Sequence, residues 1–273
     1  KAEAEAAAAE KAARAEEEVQ LTRTISKLGS GFRPAGVRNL SKSGEGRGSG
    51  ADGGSTSDEQ QELPSALQYS VRGLEDADVQ LLAKSLDGLT GSLTIVNLGY
   101  NRITDAGAAA LASVLRPAPA LTRLHLHENR MGDQGLTALA AAMHPGGASQ
   151  IAELRLSFNQ IGDAGAAALA EAWGAGGGLQ LRELHMASNR IGDAGAAALA
   201  AAISSTPQLE LLAFGNAMGG NQIGDDGAQA LSGAVLAFQA RIVSLNLKLN
   251  PISEAVRAEV EMALRSRTRL VDL

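Results

Sequence analysis

The decapeptide IGDAGAAALA stands at residues 161–170 and again, letter for letter, at residues 191–200. A near copy, ITDAGAAALA, spans 103–112, and weaker copies begin at Met131 (MGDQGLTALA) and Ile223 (IGDDGAQALS). A second pattern, in which apolar residues alternate and then meet an asparagine, leads into most of these copies. It reads LTIVNLGYNRI (93–103), LTRLHLHENRM (121–131), IAELRLSFNQI (151–161), LRELHMASNRI (181–191) and IVSLNLKLNPI (242–252). The last apolar positions, Ile103, Met131, Ile161, Ile191, Ile223 and Ile252, are 28 to 32 residues apart. A unit of that length cannot bury an apolar face alone, so the chain must stack its copies side by side.

The alternation in L-x-x-L-x-L has the period of a strand with one face turned inward. Parallel strands need a crossover of a dozen or more residues, usually helical, and the Ala-rich segment supplies it. Asp105, Asp133, Asp163, Asp193 and Asp225 stand just before that segment, where a carboxylate can accept from the free amides of the helix's first turn. They read as structural caps, despite a recurrence that suggests catalysis. Gly107, Gly135, Gly165, Gly195 and Gly227 let each helix start approach its neighbour, and Leu111, Leu139, Leu169, Leu199 and Leu231 point to the core. Asn101, Asn129, Asn159, Asn189 and Asn250 recur where the chain leaves the strand, so their amides form a buried polar ladder. Trp173, at the position of Leu115 and Met143, reads as core filler.

These motifs resemble leucine-rich repeats over roughly residues 63–273, and the long unit with an Ala-rich helix is similar to the ribonuclease-inhibitor-like subclass. The chain has no cysteine, which separates it from members that carry Cys at the asparagine position. The resemblance implies an α/β solenoid, a curved horseshoe with a parallel sheet on the concave face and helices on the convex face. About seven coils are expected, with atypical first and last caps. Pro64 and Arg72 occupy the places of Leu93 and Asn101 in the first cap, while Leu74, Leu82 and Leu86 keep the core pattern. The last coil has Pro251 and a charged helix. The fifth coil carries four extra residues within 209–223, so either Asn216 or Asn221 serves as its ladder amide.

Ahead of the repeats, residues 1–28 form an Ala/Glu-rich helix of strong helix formers. Val19, Leu21, Ile25 and Leu28 make a short apolar stripe on it. It reads as a solvated helix, or as one that docks on a partner through the stripe. Residues 29–62 form a flexible linker, basic and then polar. Over 22–51 six basic residues, Arg23, Lys27, Arg33, Arg38, Lys42 and Arg47, face one acid, Glu45, so this stretch is expected to be disordered alone and suited to an acidic surface. The glycine-rich run 44–50 lacks the lysine and preceding strand of a phosphate loop.

A net charge of −6 argues against nucleic acid as partner, and no apolar run approaches the ~20 residues of a membrane span. The lack of cysteine favours an intracellular, cytoplasmic setting, and a ciliary, flagellar or organellar complex suits the composition. The chain begins at Lys1, so any upstream targeting segment is left open. Inward-facing strand positions give two rows: Ile95, Arg123, Glu153, Glu183, Leu211 and Ser244, and Asn97, His125, Arg155, His185, Ala213 and Asn246. Arg123, His125, Glu153, Arg155, Glu183 and His185 form one mixed-charge patch, bordered by Tyr100, Glu128, Phe158 and Ser188, and these are the candidate protein-binding residues. His125 and His185 lie two strands apart, about 10 Å, too far to share a metal ion. Adjacent Glu153 and Glu183 sit on an open sheet without the cleft that acid–base chemistry needs. The expectation is a non-enzymatic scaffold or subunit that binds protein, without metal or cofactor. Family resemblance leaves regulation of a small GTPase, as in the Ran activator, or a repeat fragment of a nucleotide-binding immune receptor, as alternatives.

Overall fold

Alternating apolar triplets make short strands because only the middle residue of each can be buried while its neighbours face out. A computed structural model of the protein describes residues 19–20, 22–28, 65–86, 90–237, 241–265 and 270–273. In it eight three-residue strands form one parallel sheet in chain order: β1 Ala66–Gln68, β2 Ile95–Asn97, β3 Arg123–His125, β4 Glu153–Arg155, β5 Glu183–His185, β6 Leu211–Ala213, β7 Ser244–Asn246 and β8 Leu270–Asp272. Helices alternate with them: α1 (residues 22–28), α2 Asp76–Leu86, α3 Asp105–Leu115, α4 Asp133–Ala142, α5 Asp163–Ala172, α6 Asp193–Ala202, α7 Asp225–Ala237 and α8 Glu254–Leu264. Each of α2 to α8 packs on the next. Parallel strands sit ~4.8 Å apart and helices ~8–10 Å apart. Stacking the two layers therefore bends the array into a horseshoe with the sheet inside.

The strand register joins Ile95, Arg123, Glu153, Glu183, Leu211 and Ser244 in one row and Asn97, His125, Arg155, His185, Ala213 and Asn246 in the other, as the alternation requires. The middle residues Leu124, Leu154, Leu184, Leu212 and Leu245 are buried in a core that runs the length of the array. Trp173 is fully buried there, at the start of a π-helical turn, Trp173–Gly177, that lengthens its crossover. The chain exceeds the expected seven coils by one strand. β8 pairs along β7, so the charged helix α8 is followed by further sheet instead of ending the stack.

The asparagines join each coil to the one before. Asn159 accepts from the Met131 amide through Oδ1 (3.0 Å) and donates through Nδ2 to the carbonyls of Leu126 (2.9 Å) and Leu156 (3.0 Å). Asn101, Asn129 and Asn189 repeat this arrangement between their own coils. In the fifth coil the ladder amide is Asn221, which takes the Ile191 amide and donates to Met186 and Phe214. Asn216 instead closes a turn in the insertion by accepting from Met218 and Gly219. The residue ahead of each of Asn101, Asn129, Asn159, Asn189 and Asn250 has a positive φ of 56 to 58°, which swings the chain off the strand so that the amide turns inward. Val71 does the same ahead of Arg72.

The recurrent aspartates are caps, but not of their own helices. Asp105 is the first residue of α3, and its Oδ1 accepts from Gly132 (2.6 Å) and Gly135 (2.9 Å), the amides that open α4 in the next coil. Asp133, Asp163 and Asp193 act likewise on α5, α6 and α7. A first-turn carboxylate lies closer to the free amides of the adjacent helix than to those of its own helix, so the N-terminal half-charge of one coil is met by the coil before it. This also explains the glycines: a Cβ on Gly135 would lie 2.6 Å from Asp105 Oδ1.

Helix α1 neither stands in solvent nor waits for a partner, because it lies against the first coil. Buried Asp78 of α2 accepts hydrogen bonds from Thr24, from Gln20 Nε2 at 3.1 Å and from the Glu75 amide, and pairs with Lys27 Nζ at 2.5 Å. Burial alone would raise the Asp78 pKa, but the bonds from Lys27, Thr24 and the Glu75 amide outweigh it and hold the carboxyl below its usual range. Leu28 joins the core, whereas Val19 stays exposed. Lys27, assigned from sequence to a disordered basic stretch, is thus engaged within the chain. The helix over 1–18, the linker over 29–62 and, of the basic residues, Arg33, Arg38, Lys42 and Arg47 fall outside the described residues, while Arg23 is exposed on α1.

The ladder predicts that Asn159→Ala costs about 1–3 kcal/mol, since it strands the Met131 amide and two carbonyls. Leu156→Ala should cost about 2–5 kcal/mol by opening a cavity. Urea denaturation midpoints measure both, and unchanged midpoints would refute this placement.

Candidate functional site

The two outward-facing positions of each strand carry the charged residues to the concave face, and the register brings them together on β3, β4 and β5. Glu153 is the hub. Arg155 Nε donates to its Oε1 at 2.5 Å, Arg123 Nε lies 3.6 Å from Oε2, and His125 Nε2 lies 3.2 Å from Oε1. Burial pushes the Glu153 pKa up, but the bond and charge of Arg155, with His125 and Arg123 beyond, pull it below the usual carboxylate range. The side chains of Arg123 and Arg155 are about half exposed while anchored on this carboxylate.

Glu183 is the register partner of Glu153 and pairs with His185 at 3.2 Å. Arg155 lies between His125 and His185, so the two histidines do not converge. Among the described residues no group of three or more His, Cys, Asp or Glu side chains could hold a metal ion. No described helix is long and apolar enough to cross a membrane.

Tyr100, Glu128, Phe158 and Ser188 border the patch at the positive-φ bends. The ring of His127 meets Tyr100 edge-on at 5.1 Å and His125 at 6.2 Å. It covers Gly99 so closely that a Cβ there would sit 2.5 Å from its Cε1. The available signal was the glycine standing opposite a histidine one coil on. Among the described residues buried His127 Nδ1 has no hydrogen-bond partner, and His125 Nε2, although near Glu153, lacks the alignment of a hydrogen bond. Burial lowers the pKa of both histidines. Glu153 pulls that of His125 back up, while Arg155 and Arg123 depress it further. His125, Arg155 and His185 add to the lowering at His127.

A histidine whose folded pKa lies below its unfolded value favours the native state at high pH and withdraws that support as pH falls through the ordinary imidazole range. The urea midpoint should therefore drop between pH 7.5 and 5.5, and the His125→Gln/His127→Gln variant should lose part of that drop. An identical pH dependence in the variant would contradict the burial of these rings.

Five stretches, residues 92–112, 119–140, 151–170, 181–200 and 217–232, match the leucine-rich repeat family. No curated protein matches the chain. Among solved structures, an internalin of Listeria monocytogenes is similar at 21% identity and a TM-score of 0.45, over 76% of this chain and 53% of its own. The Arabidopsis receptor kinase HAESA, solved with a peptide hormone and a co-receptor, is 18% identical with a TM-score of 0.35, over 59% of this chain and 22% of its own. A plant peptide hormone receptor, solved with its hormone, is 14% identical with a TM-score of 0.37, over 70% of this chain and 29% of its own. This chain spans about half of the internalin and less than a third of the two receptors. The coils between residues 92 and 232, with their strands, asparagine ladder and helices, match leucine-rich repeats.

Proposed function

We propose that this chain is a non-enzymatic protein-binding scaffold of the ribonuclease-inhibitor-like kind, and that it recognises its partner through the concave patch centred on Glu153. The observation that carries this reading is the anchoring of Arg123 and Arg155 on one largely buried carboxylate, with about half of each arginine side chain still open to solvent. An arginine already held in place loses less side-chain freedom on binding, a saving of roughly 0.5–1.5 kcal/mol per ordered side chain. Arginine and aromatic residues are the usual energetic anchors of interfaces, and Tyr100 and Phe158 border the patch. Helices on every coil and a period of 28 to 32 residues support the subclass. Residues 29–51, basic in composition, are a second proposed contact, with an acidic surface.

A protein captured by the full chain should dissociate at least tenfold more readily from the Arg123→Ala/Arg155→Ala variant. It should be held as before by a Gln229→Ala variant on the convex side. Equal affinity for wild type and the arginine variant would refute the concave face as the site.

A further inference from the structure

The bends that lead out of the strands have a property that folding does not account for. Val71, Tyr100, Glu128, Phe158, Ser188 and Leu249 all take the left-handed conformation, which glycine and asparagine adopt most easily and bulky or β-branched residues resist. Four of the six are large and apolar, and three are mostly exposed: Val71 at 73%, Leu249 at 60% and Tyr100 at 52%. The fifth-coil insertion adds a fourth exposed apolar residue to the same edge. Its Asn216 turn fixes Met218, 78% exposed, and packs so closely that a Cβ on Gly219 would collide with Ser188 and one on Gly220 with the Leu249 carbonyl. Backbone strain and apolar exposure at the same positions both work against the folded state, which points to an interaction surface.

We propose that this rim is a docking site for an amphipathic α-helix of another protein, laid across the coils with one turn per coil and with carboxylates flanking its apolar stripe. This rests on the reading that the array binds protein, but uses the rim in place of the sheet. Spacing selects the helix. Hydrogen bonds between neighbouring bends, Val71 N to Gly99 O (3.1 Å), Tyr100 N to His127 O (2.9 Å), Glu128 N to Ser157 O (2.9 Å) and Phe158 N to Ala187 O (2.8 Å), hold the bends at sheet spacing, ~4.8 Å. Tyr100 and Phe158, two coils apart, are then separated by about 10 Å. A helix places residues i and i+7 about 10.5 Å apart on one face. An extended strand, at ~3.3 Å per residue, reaches that distance with its third residue, which points the opposite way.

Charge selects the flanks. Exposed Arg102, Arg130 and Arg190 recur two residues after the bend, with Gln160 and Gln222 at the same position in two further coils and Gly73 and Pro251 in the first and last of the series. The aspartates that follow are turned to the glycine amides of the next coil. Arg102 pairs with Glu75 at 3.3 Å and Arg190 donates to Gln160 at 3.2 Å, and Glu128 stands among the bends, so among the described residues Arg130 is the arginine for which this edge supplies no acidic partner, a local positive excess on a chain whose net charge is −6.

The test uses the full chain and a labelled synthetic helix of about 21 residues with leucines along one stripe and glutamates beside it, read by fluorescence anisotropy. A second peptide carries lysines in place of the glutamates. The glutamate peptide should bind in the micromolar range and at least tenfold more tightly than the lysine peptide. Tyr100→Gly and Phe158→Gly should each weaken it at least tenfold without lowering the melting temperature, because glycine suits the bend and keeps the coil folded. Arg102→Ala/Arg130→Ala should weaken only the glutamate peptide. No binding, equal binding of both peptides, or glycine variants that bind like wild type would overturn the proposal. So would concentration-dependent self-association abolished by Tyr100→Gly, which would assign the rim to a second copy. Loss of peptide binding on Arg155→Ala alone would move the site to the sheet. If the peptide fails while a captured partner still depends on Arg123 and Arg155, the rim site falls and the concave site stands.

Discussion

Every coil leaves polar backbone groups that only an adjacent coil can satisfy. The Met131 amide and the Leu126 carbonyl belong to one coil, and the side chain that meets them both, Asn159, belongs to the next. The same holds at the helix starts, where Asp105 answers Gly132 and Gly135 one coil on. Buried amides and carbonyls left unmatched would each cost about 1–3 kcal/mol, so a lone coil has no reason to fold. The leucines make stacking favourable, and the asparagines and aspartates restrict it to one register. Hydrophobic burial by itself would tolerate a slip between coils, whereas a one-residue slip would leave both ladders unpaired.

That division of labour governs what the surface can do. Apolar middle residues of the strands and the two polar ladders are committed to the stack, which leaves the outer strand positions, the bends and the helix exteriors free to vary. Charge collects on β3 to β5 of the concave face, where Glu153 draws in two arginines and a histidine. The bends collect apolar residues instead. A rigid array holds both sets at fixed spacing and orientation.

Much of this was legible in the sequence, for a physical reason. Alternation with period two leaves no freedom in which residues share a face, so both concave rows, and with them the grouping of Arg123, Glu153 and Arg155, follow from the positions of the leucines. What depends on contacts across coils was not legible. The aspartates looked like caps of the helices they open because the sequence shows distance along the chain, while their partners lie about one repeat further on. Asn216 and Asn221 could not be separated until the path of the insertion was known. Strand β8 is three residues without the asparagine signature. The docking of α1 turns on Thr24, Lys27 and buried Asp78, a polar cluster that no apolar periodicity announces. The left-handed bends are occupied by Val, Tyr, Glu, Phe, Ser and Leu, with no shared letter to mark a shared backbone.

Side-chain amides clamp neighbouring coils as firmly as the sheet does. Native-state hydrogen exchange tests it most directly. The amides of Ile103, Met131, Ile161 and Ile191 lie in connecting segments outside the strands and helices, yet each donates to an asparagine of the following coil. They should exchange as slowly as the strand amides of Leu124, Leu154 and Leu184. Exchange at the rate of exposed loop amides would contradict the account, because the ladder would then be a consequence of stacking and not its cause.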